Sequence, residues 1–187
     1  MDPGCAANVN QTVLDTSVTR CRTHDLGVMR TRGEFRLVAV HAIAAGEKLF
    51  EIEGDLQPRP SRFSVQIGED VHIDLGPDHA TEEILDRYFW RFMNHSCDPN
   101  AFVRDRDVFA QRDIEPWESV TFNYNTTEWS MAEPFSCQCG ETQCLGVIKG
   151  FKHLTTAQRE RLRPFLATHL VPWLPKKAAN RASSPKA

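Results

Sequence analysis

Three cysteines fall within eight residues in the stretch CQCGETQC, at Cys137, Cys139 and Cys144, and nothing else in the chain restricts its folding as much. In an extended backbone residues i and i+2 point to one side, so Cys137 and Cys139 can reach one ion. A loop through Gly140 brings Cys144 back to them. Structural Zn²⁺ takes four ligands, with Zn–S about 2.3 Å, and three local thiolates therefore call for a fourth donor from elsewhere. Cys97 is the natural candidate; Cys5 and Cys21, in an N-terminal stretch without hydrophobic pattern, compete with it. Buried or free thiols are the plainer alternative, but three cysteines this close beside a glycine do not read as core. The start MDPGCAANVNQ has neither the basic nor the apolar region of a secretory signal, so an intracellular, reducing compartment is expected. Clustered cysteines there bind metal or do chemistry more often than they pair.

Cys97 itself sits in an unusual stretch, WRFMNHSCDPNAF at 90–102. A bulky apolar run gives way to Asn94, His95, Ser96, Cys97, Asp98, Pro99 and Asn100, then resumes at Ala101. Polar groups carried beside a core need partners, since each one left unsatisfied costs about 1–3 kcal/mol. A core is available: 187 residues, 41% of them hydrophobic, suffice for one globular domain with appendages. No uninterrupted apolar run approaches the roughly 20 residues that span a bilayer, so no membrane partner is expected. The net charge of −3 conceals an uneven distribution, with ten acids against three arginines from Glu51 to Trp90 and eight basic residues against one acid from Phe151 to Ala187. The acidic stretch reads first as a solvated face and second as a surface that steers a cationic substrate. Direct nucleic-acid binding is not expected, because the basic residues lack interleaved aromatics.

Hydrophobic periodicity predicts many short strands and few helices. FRLVAVHAI, KLFEIEG, AFVRDRDVFAQ and SVTFNYN are rich in strand formers, the third reading as two strands around a charged turn. RFSVQIGEDVHIDL predicts a hairpin turning at GED, with Phe63, Val65 and Ile67 on one face and Val71, Ile73 and Leu75 sharing a face of the return strand. TEEILDRYFWRFM has helical spacing in Ile84, Leu85, Tyr88, Phe89 and Phe92, with a buried irregular segment as the alternative. TTAQRERL opens with a capping-box pattern from Thr155 to Gln158, which predicts a helix start, and Pro164 kinks or ends that helix. The polar tail PKKAANRASSPKA is expected to be disordered.

RFMNHSCDPN, ESVTFNYN and PFSCQCGETQCLG, in that order, resemble the motifs of the SET-domain protein-lysine methyltransferases with their post-SET zinc segment. VAVHAIAAGEKLFEIEGDL is similar to the family's first strand pair, so the resemblance covers about residues 27 to 151. It implies an α+β, mostly β fold of small antiparallel sheets around a pseudoknot, closed by a zinc-bound post-SET segment. The domain expectation is an N-terminal extension over 1–24, a SET domain over 25–128, a post-SET segment over 129–151, and a C-terminal helix and tail over 152–187. The resemblance further implies S-adenosylmethionine-dependent methylation of a lysine in a protein partner, a histone tail among the candidates. By the same resemblance the RFMNHSC segment threads through a loop of the following segment. Asn94 and His95 then contact S-adenosylmethionine with Arg91 beside them, and Cys97 joins Cys137, Cys139 and Cys144 around one Zn²⁺.

Tyr124 has a physical case of its own. Strand periodicity sets Val120, Phe122 and Tyr124 on one face, so an aromatic ring and a phenol line one surface. Such a surface suits a narrow channel around a lysine stem. Methyl transfer from a sulfonium to an amine needs alignment more than acid chemistry, and a placed hydroxyl orients the amine. Tyr124 is therefore the expected catalytic residue and a cofactor neighbour, and Phe122 a wall of the substrate channel. A free lysine has a pKa of about 10.4, so the amine must first shed a proton, and loss to solvent is the expected route. Trp129 and Phe151 flank the cysteine cluster and suit packing or cofactor contact.

Three positions depart from the family pattern. Arg36 in GEFRLVA stands where a glycine is common although Gly33 is kept, Trp117 replaces a glycine before Glu118, and Ile52 stands where many relatives have a tyrosine. The altered loop motivates an alternative, a catalytically weak SET-like module that binds a lysine-containing partner. Cysteine hydrolysis by Cys97 and His95 is a distant third, since zinc ligation would consume the thiolate.

Overall fold

Short runs of β-branched and aromatic residues, set between turns, make strands the dominant element. The computed structural model describes residues 16–21 and 25–175; the expectations for 1–15 and for the tail beyond 175 lie outside the described residues. Thr16–Arg20, Leu26–Thr31 and Glu34–Ala39 form an antiparallel sheet in that order. Arg32 and Gly33 turn its second hairpin with φ of 52° and 85°, the paired positive φ of a tight two-residue connection. The reading of 1–24 as an extension ahead of the fold fails at 16–21. Backbone pairing to 27–31 orders a strand whose side chains are all exposed, so no hydrophobic period marks it, and Cys21 just beyond lies in the core.

Two further three-stranded sheets follow. Asp107–Ala110 lies between Lys48–Glu51 and Ala101–Arg104, and Val71–Asp74 between Asp55–Gln57 and Val65–Gly68. The hairpin at GED forms as its pattern predicts, with Asp70 at φ 52°. A register shift between Gln66 and Gly68 breaks strict alternation, and Phe63 lies ahead of the strand, half exposed.

The stretch with helical spacing divides into an α-helix, Thr81–Asp86, and a 3₁₀ turn, Phe89–Phe92. After the break Phe89 and Trp90 are buried, and Trp90 Nε1 donates to the Glu53 carbonyl at 2.9 Å. The C-terminal helix Thr156–Leu162 starts as its sequence demands. Thr155 Oγ1 accepts from Gln158 N while Gln158 Oε1 accepts from Thr155 N, and Pro164 falls in the 3₁₀ turn Arg163–Phe165 that ends it.

Leu37, Ile52, Ile73, Val103 and Phe122 belong to one large buried cluster, and Phe151, Leu162, Leu166, Leu170 and Leu174 to a second under the C-terminal segment. Asn94–His95 pairs in parallel with Thr121–Phe122, while the residues just before that strand bond to the first sheet: Ala39 N donates to Glu118 O at 3.0 Å and Val120 N to Leu37 O at 2.8 Å. Asn100 fastens the crossing, donating from Nδ2 to Ser119 O and Glu118 Oε1 and accepting at Oδ1 from Thr121 N. Such apposition of 94–100 with 118–122 is what a knot-like crossing requires. Trp117, at its edge, has φ 69°, the left-handed backbone that explains why a glycine suits this position. Among the described residues no helix is long and apolar enough to cross a membrane.

Candidate functional site

Strand pairing at Asn94–His95 and Thr121–Phe122 fixes the polar NHSC residues beside the aromatic run TFNYN. The Tyr124 backbone N–H donates to His95 Nδ1 at 3.1 Å, and the two rings meet edge-on with centroids 5.2 Å apart. Burial pushes the imidazole down to about 4, so it is neutral near pH 7. With Nδ1 accepting, the ring proton belongs on Nε2, which faces Cys97 Sγ at 3.3 Å. His95 thus stands between the aromatic run and the thiols.

The strand expected through Tyr124 stops at Phe122, and Tyr124 heads a 3₁₀ turn, Tyr124–Thr126, whose N-cap Asn123 accepts from Asn125 N through its side chain. Phe122 and Tyr124 still meet, with ring centroids 4.7 Å apart. The Tyr124 hydroxyl donates to the Met93 carbonyl at 3.0 Å. Burial, with the charge of Glu128 second, raises this phenol well above its ordinary value, so it stays protonated. Trp90, Met93, Phe122, Tyr124 and Glu128 line a narrow slot of about 50 Å³.

A wider cleft of about 1080 Å³ lies between the hairpin residues Thr31–Arg36 and the segment Arg91–Asn94. Arg62, Phe63 and Arg91 line both cavities, so slot and cleft adjoin. Asn94 borders the cleft and donates from Nδ2 to Phe35 O at 3.1 Å. The Arg91 guanidinium lies over the Phe63 ring at 4.7 Å, with Asp74 Oδ1 3.8 Å away. Arg36 keeps regular strand pairing with Met29, so the larger residue costs the hairpin no backbone strain. Four arginines in one cleft suit a ligand that carries a carboxylate, and Phe35 against Phe92, centroids 5.2 Å apart, suits an aromatic base.

The sulfurs of Cys97, Cys137, Cys139 and Cys144 all lie within 4.8 Å of one another, and those of Cys97 and Cys137 are 4.0 Å apart. A tetrahedral site with Zn–S of about 2.3 Å needs sulfurs about 3.8 Å apart. Leu145 N donates to Cys97 Sγ and Gly146 N to Cys144 Sγ, both at 3.4 Å, as suits sulfurs that carry charge. Burial holds the Cys97 thiol protonated when no cation is near. The donor set therefore fits Zn²⁺ in number, spacing and softness. Of the competing donors, Cys21 is buried elsewhere, facing Leu85 O at 3.8 Å with burial pushing its thiol up to about 12, and Cys5 lies outside the described residues.

Sequence reasoning missed two residues here. Phe135, in the strand pair Phe135–Ser136 with Val147–Ile148, sets its ring 5.8 Å from His95 and 6.0 Å from Tyr124. Glu128 lines the slot; its signal was an acid alone in the apolar and amide run TFNYNTTEW. Trp129 and Phe151 prove to be packing residues of the second cluster, with Trp129 also against Trp173 at 4.7 Å.

Small sheets, an Asn100-fastened crossing and a four-thiol cluster beside an aromatic slot define the class: residues 34–125 match the SET domain family, and the chain carries a SET domain. A histone-lysine N-methyltransferase, H3 lysine-36 specific, of Emericella nidulans is 41% identical over 150 residues, covering 64% of this chain and 15% of that protein. The methyltransferase flvH of Aspergillus flavus is 31% identical over 109 residues, 56% of this chain and 54% of that one. Among solved structures, KRYPTONITE in complex with mCHH DNA, an H3(1-15) peptide and SAH aligns with a TM-score of 0.52 and 25% identity over 69% of this chain and 30% of that chain. The chain thus spans little more than half the length of flvH and about a seventh of the Emericella protein.

Proposed function

We propose that this chain is an S-adenosylmethionine-dependent protein-lysine N-methyltransferase with Tyr124 at its reacting centre. The observation that carries this reading is a narrow aromatic slot, bearing a phenol, that adjoins a wide cleft lined by arginines. S-adenosylmethionine supplies an electrophilic methyl group on a sulfonium sulfur. Arg91 and Asn94 border the cleft as groups for its polar atoms. His95 serves from below, its ring engaged with Tyr124 N and Cys97, so any cofactor contact from it is through the backbone. Phe122 and Trp90 wall the slot around an aliphatic stem. The Tyr124 hydroxyl, fixed by its bond to Met93 O, keeps its lone pairs for an amine proton and so orients the nitrogen. Cys97, Cys137, Cys139 and Cys144 would hold Zn²⁺, which ties the post-SET segment, 129–151, to the SET domain, 25–128.

Histone H3 is the first substrate to test, because similar proteins, the Emericella one among them, carry that specificity in their names; a nuclear location goes with it. The experiment is incubation with methyl-labelled S-adenosylmethionine and core histones, followed by mapping of the label. Label on a lysine is expected. Cofactor binding without transfer to any protein lysine would favour the weak, lysine-binding module instead.

A further inference from the structure

We propose that Glu128 accepts the proton that a substrate ammonium must lose before its nitrogen attacks. This role rests on the methyl-transfer reading, and it replaces proton loss to solvent with a carboxylate built into the slot. Glu128 is 5% exposed and shares the slot with Tyr124, Phe122 and Met93. Both hydrogen bonds its carboxylate receives end on Oε1, from Gln66 N at 2.7 Å and from the Thr127 hydroxyl at 3.3 Å. Oε2 receives none among the described residues, and Glu128 lines the slot. The backbone is held from both sides: Glu128 N donates to Tyr124 O at 2.9 Å, and Phe151 N donates to Glu128 O at 2.8 Å. One oxygen therefore fixes the side chain and the other is offered.

No cation pairs with Glu128 among the described residues. Arg62 and Arg91, which also line the slot, face Glu133 and Asp74, each at 3.8 Å. Tyr124 is held protonated, and His169, whose Nε2 meets Thr127 O at 2.8 Å, is kept neutral by burial, as is His72. A buried carboxylate without a cation is costly, and the arrangement makes sense if the substrate brings the cation. Burial lifts Glu128 to about 7, which suits a base working near neutrality. In the step, an N–H bond of the ammonium breaks, its electron pair stays on nitrogen, and the proton bonds to Oε2. That pair then forms the N–C bond while the methyl group leaves the sulfonium, whose sulfur keeps the C–S pair. Glu128 returns the proton to solvent as the methylated product departs.

Single-turnover rates at saturating S-adenosylmethionine and core histones, from about pH 6.5 to 9.5, test this for wild type and Glu128→Gln. Thermal midpoint and cofactor affinity are read on the same preparations. The glutamine variant is expected to fold and bind cofactor as wild type does, to lose on the order of 10²-fold in rate near pH 7, and to regain most of that loss as free amine accumulates at high pH. A rate within about threefold of wild type, or a loss equal at every pH, overturns the role. Should Glu128→Gln not fold, the wild-type profile decides. An unbroken rise of about tenfold per pH unit is the mark of proton loss to solvent and overturns the proposal; a plateau beginning below about pH 8 supports it. A wild type that transfers nothing overturns the methyl-transfer reading and this role with it, whereas an active wild type matched by the variant overturns this role alone.

Discussion

At Tyr124 a single hydroxyl satisfies the carbonyl of Met93, and both residues line the slot, so removing it is expected to act on stability and on rate. Tyr124→Phe keeps the ring contact with Phe122 but strands a carbonyl, which costs about 1 kcal/mol. Turnover per folded molecule is expected to fall by more, on the order of 10²-fold, with cofactor affinity unchanged. Single-turnover rates on folded protein check this, and an unchanged rate would reduce Tyr124 to a packing residue. Glu128 pulls the other way. Its folded pKa, about 7, lies above its ordinary value of 4.5, so the native state holds the extra proton between those values. Stability is then full below about pH 4.5 and declines as pH rises through about 7. Glu128→Gln escapes that decline, and at pH 8 it is expected to exceed wild type in stability by on the order of 2–3 kcal/mol. Denaturant unfolding at pH 5 and pH 8 reads the difference; equal gaps at both would show that Glu128 does not titrate in this way. A variant more stable yet slower is what a carboxylate kept for chemistry produces.

Among the elements, those written in local chemistry were legible in the sequence. The Thr155–Gln158 capping box, the charged turn with Asp105 at φ 56° and the GED hairpin each depend on residues a few positions apart. Elements that depend on distant partners were not. Thr16–Arg20 exists through its pairing with Leu26–Thr31, and the break between Thr81–Asp86 and Phe89–Phe92 accompanies the burial of Trp90 under Glu53. The cysteine set and Tyr124 were legible because spacing and residue type carry them, whereas Glu128 needed the slot to be seen. Trp117 tests the knot's edge. Its left-handed backbone costs about 1 kcal/mol in a residue with a Cβ, so Trp117→Gly is expected to stabilise by about that much in equilibrium unfolding. Gly150 tests the docking of the C-terminal segment. It holds φ 101°, and a Cβ there would lie 2.7 Å from Ser130 Cα and 2.8 Å from Trp129 O. Gly150→Ala is expected to cost about 2–3 kcal/mol and to loosen Phe151, whose N–H bonds Glu128 O. A loss below about 0.5 kcal/mol would mean that the segment shifts freely.

Across the whole molecule, the four thiols join residues 40 or more apart in sequence, Cys97 on the crossing and the others on the segment that carries Phe135 to His95 and Tyr124. The second hydrophobic cluster, by contrast, packs through Phe151, Leu162 and Leu170 without any thiol. Loss of Zn²⁺ from these thiols should therefore leave most of the fold standing while freeing the Phe135 ring that packs against His95 and Tyr124. Cys139→Ser is expected to lose the metal, to lower the thermal midpoint by about 5 °C or more, and to lose nearly all methyl transfer, with far-UV circular dichroism largely kept. Chelation of wild type should reproduce the variant, and added Zn²⁺ should restore wild type alone. Metal content, thermal midpoint and rate on one preparation separate the outcomes. Full zinc and full activity in Cys139→Ser would remove Cys139 from the centre. Zinc lost with activity intact would show instead that Phe135 keeps its place beside Tyr124 without the metal, or that its place does not matter to the rate, and that the thiol cluster serves stability alone.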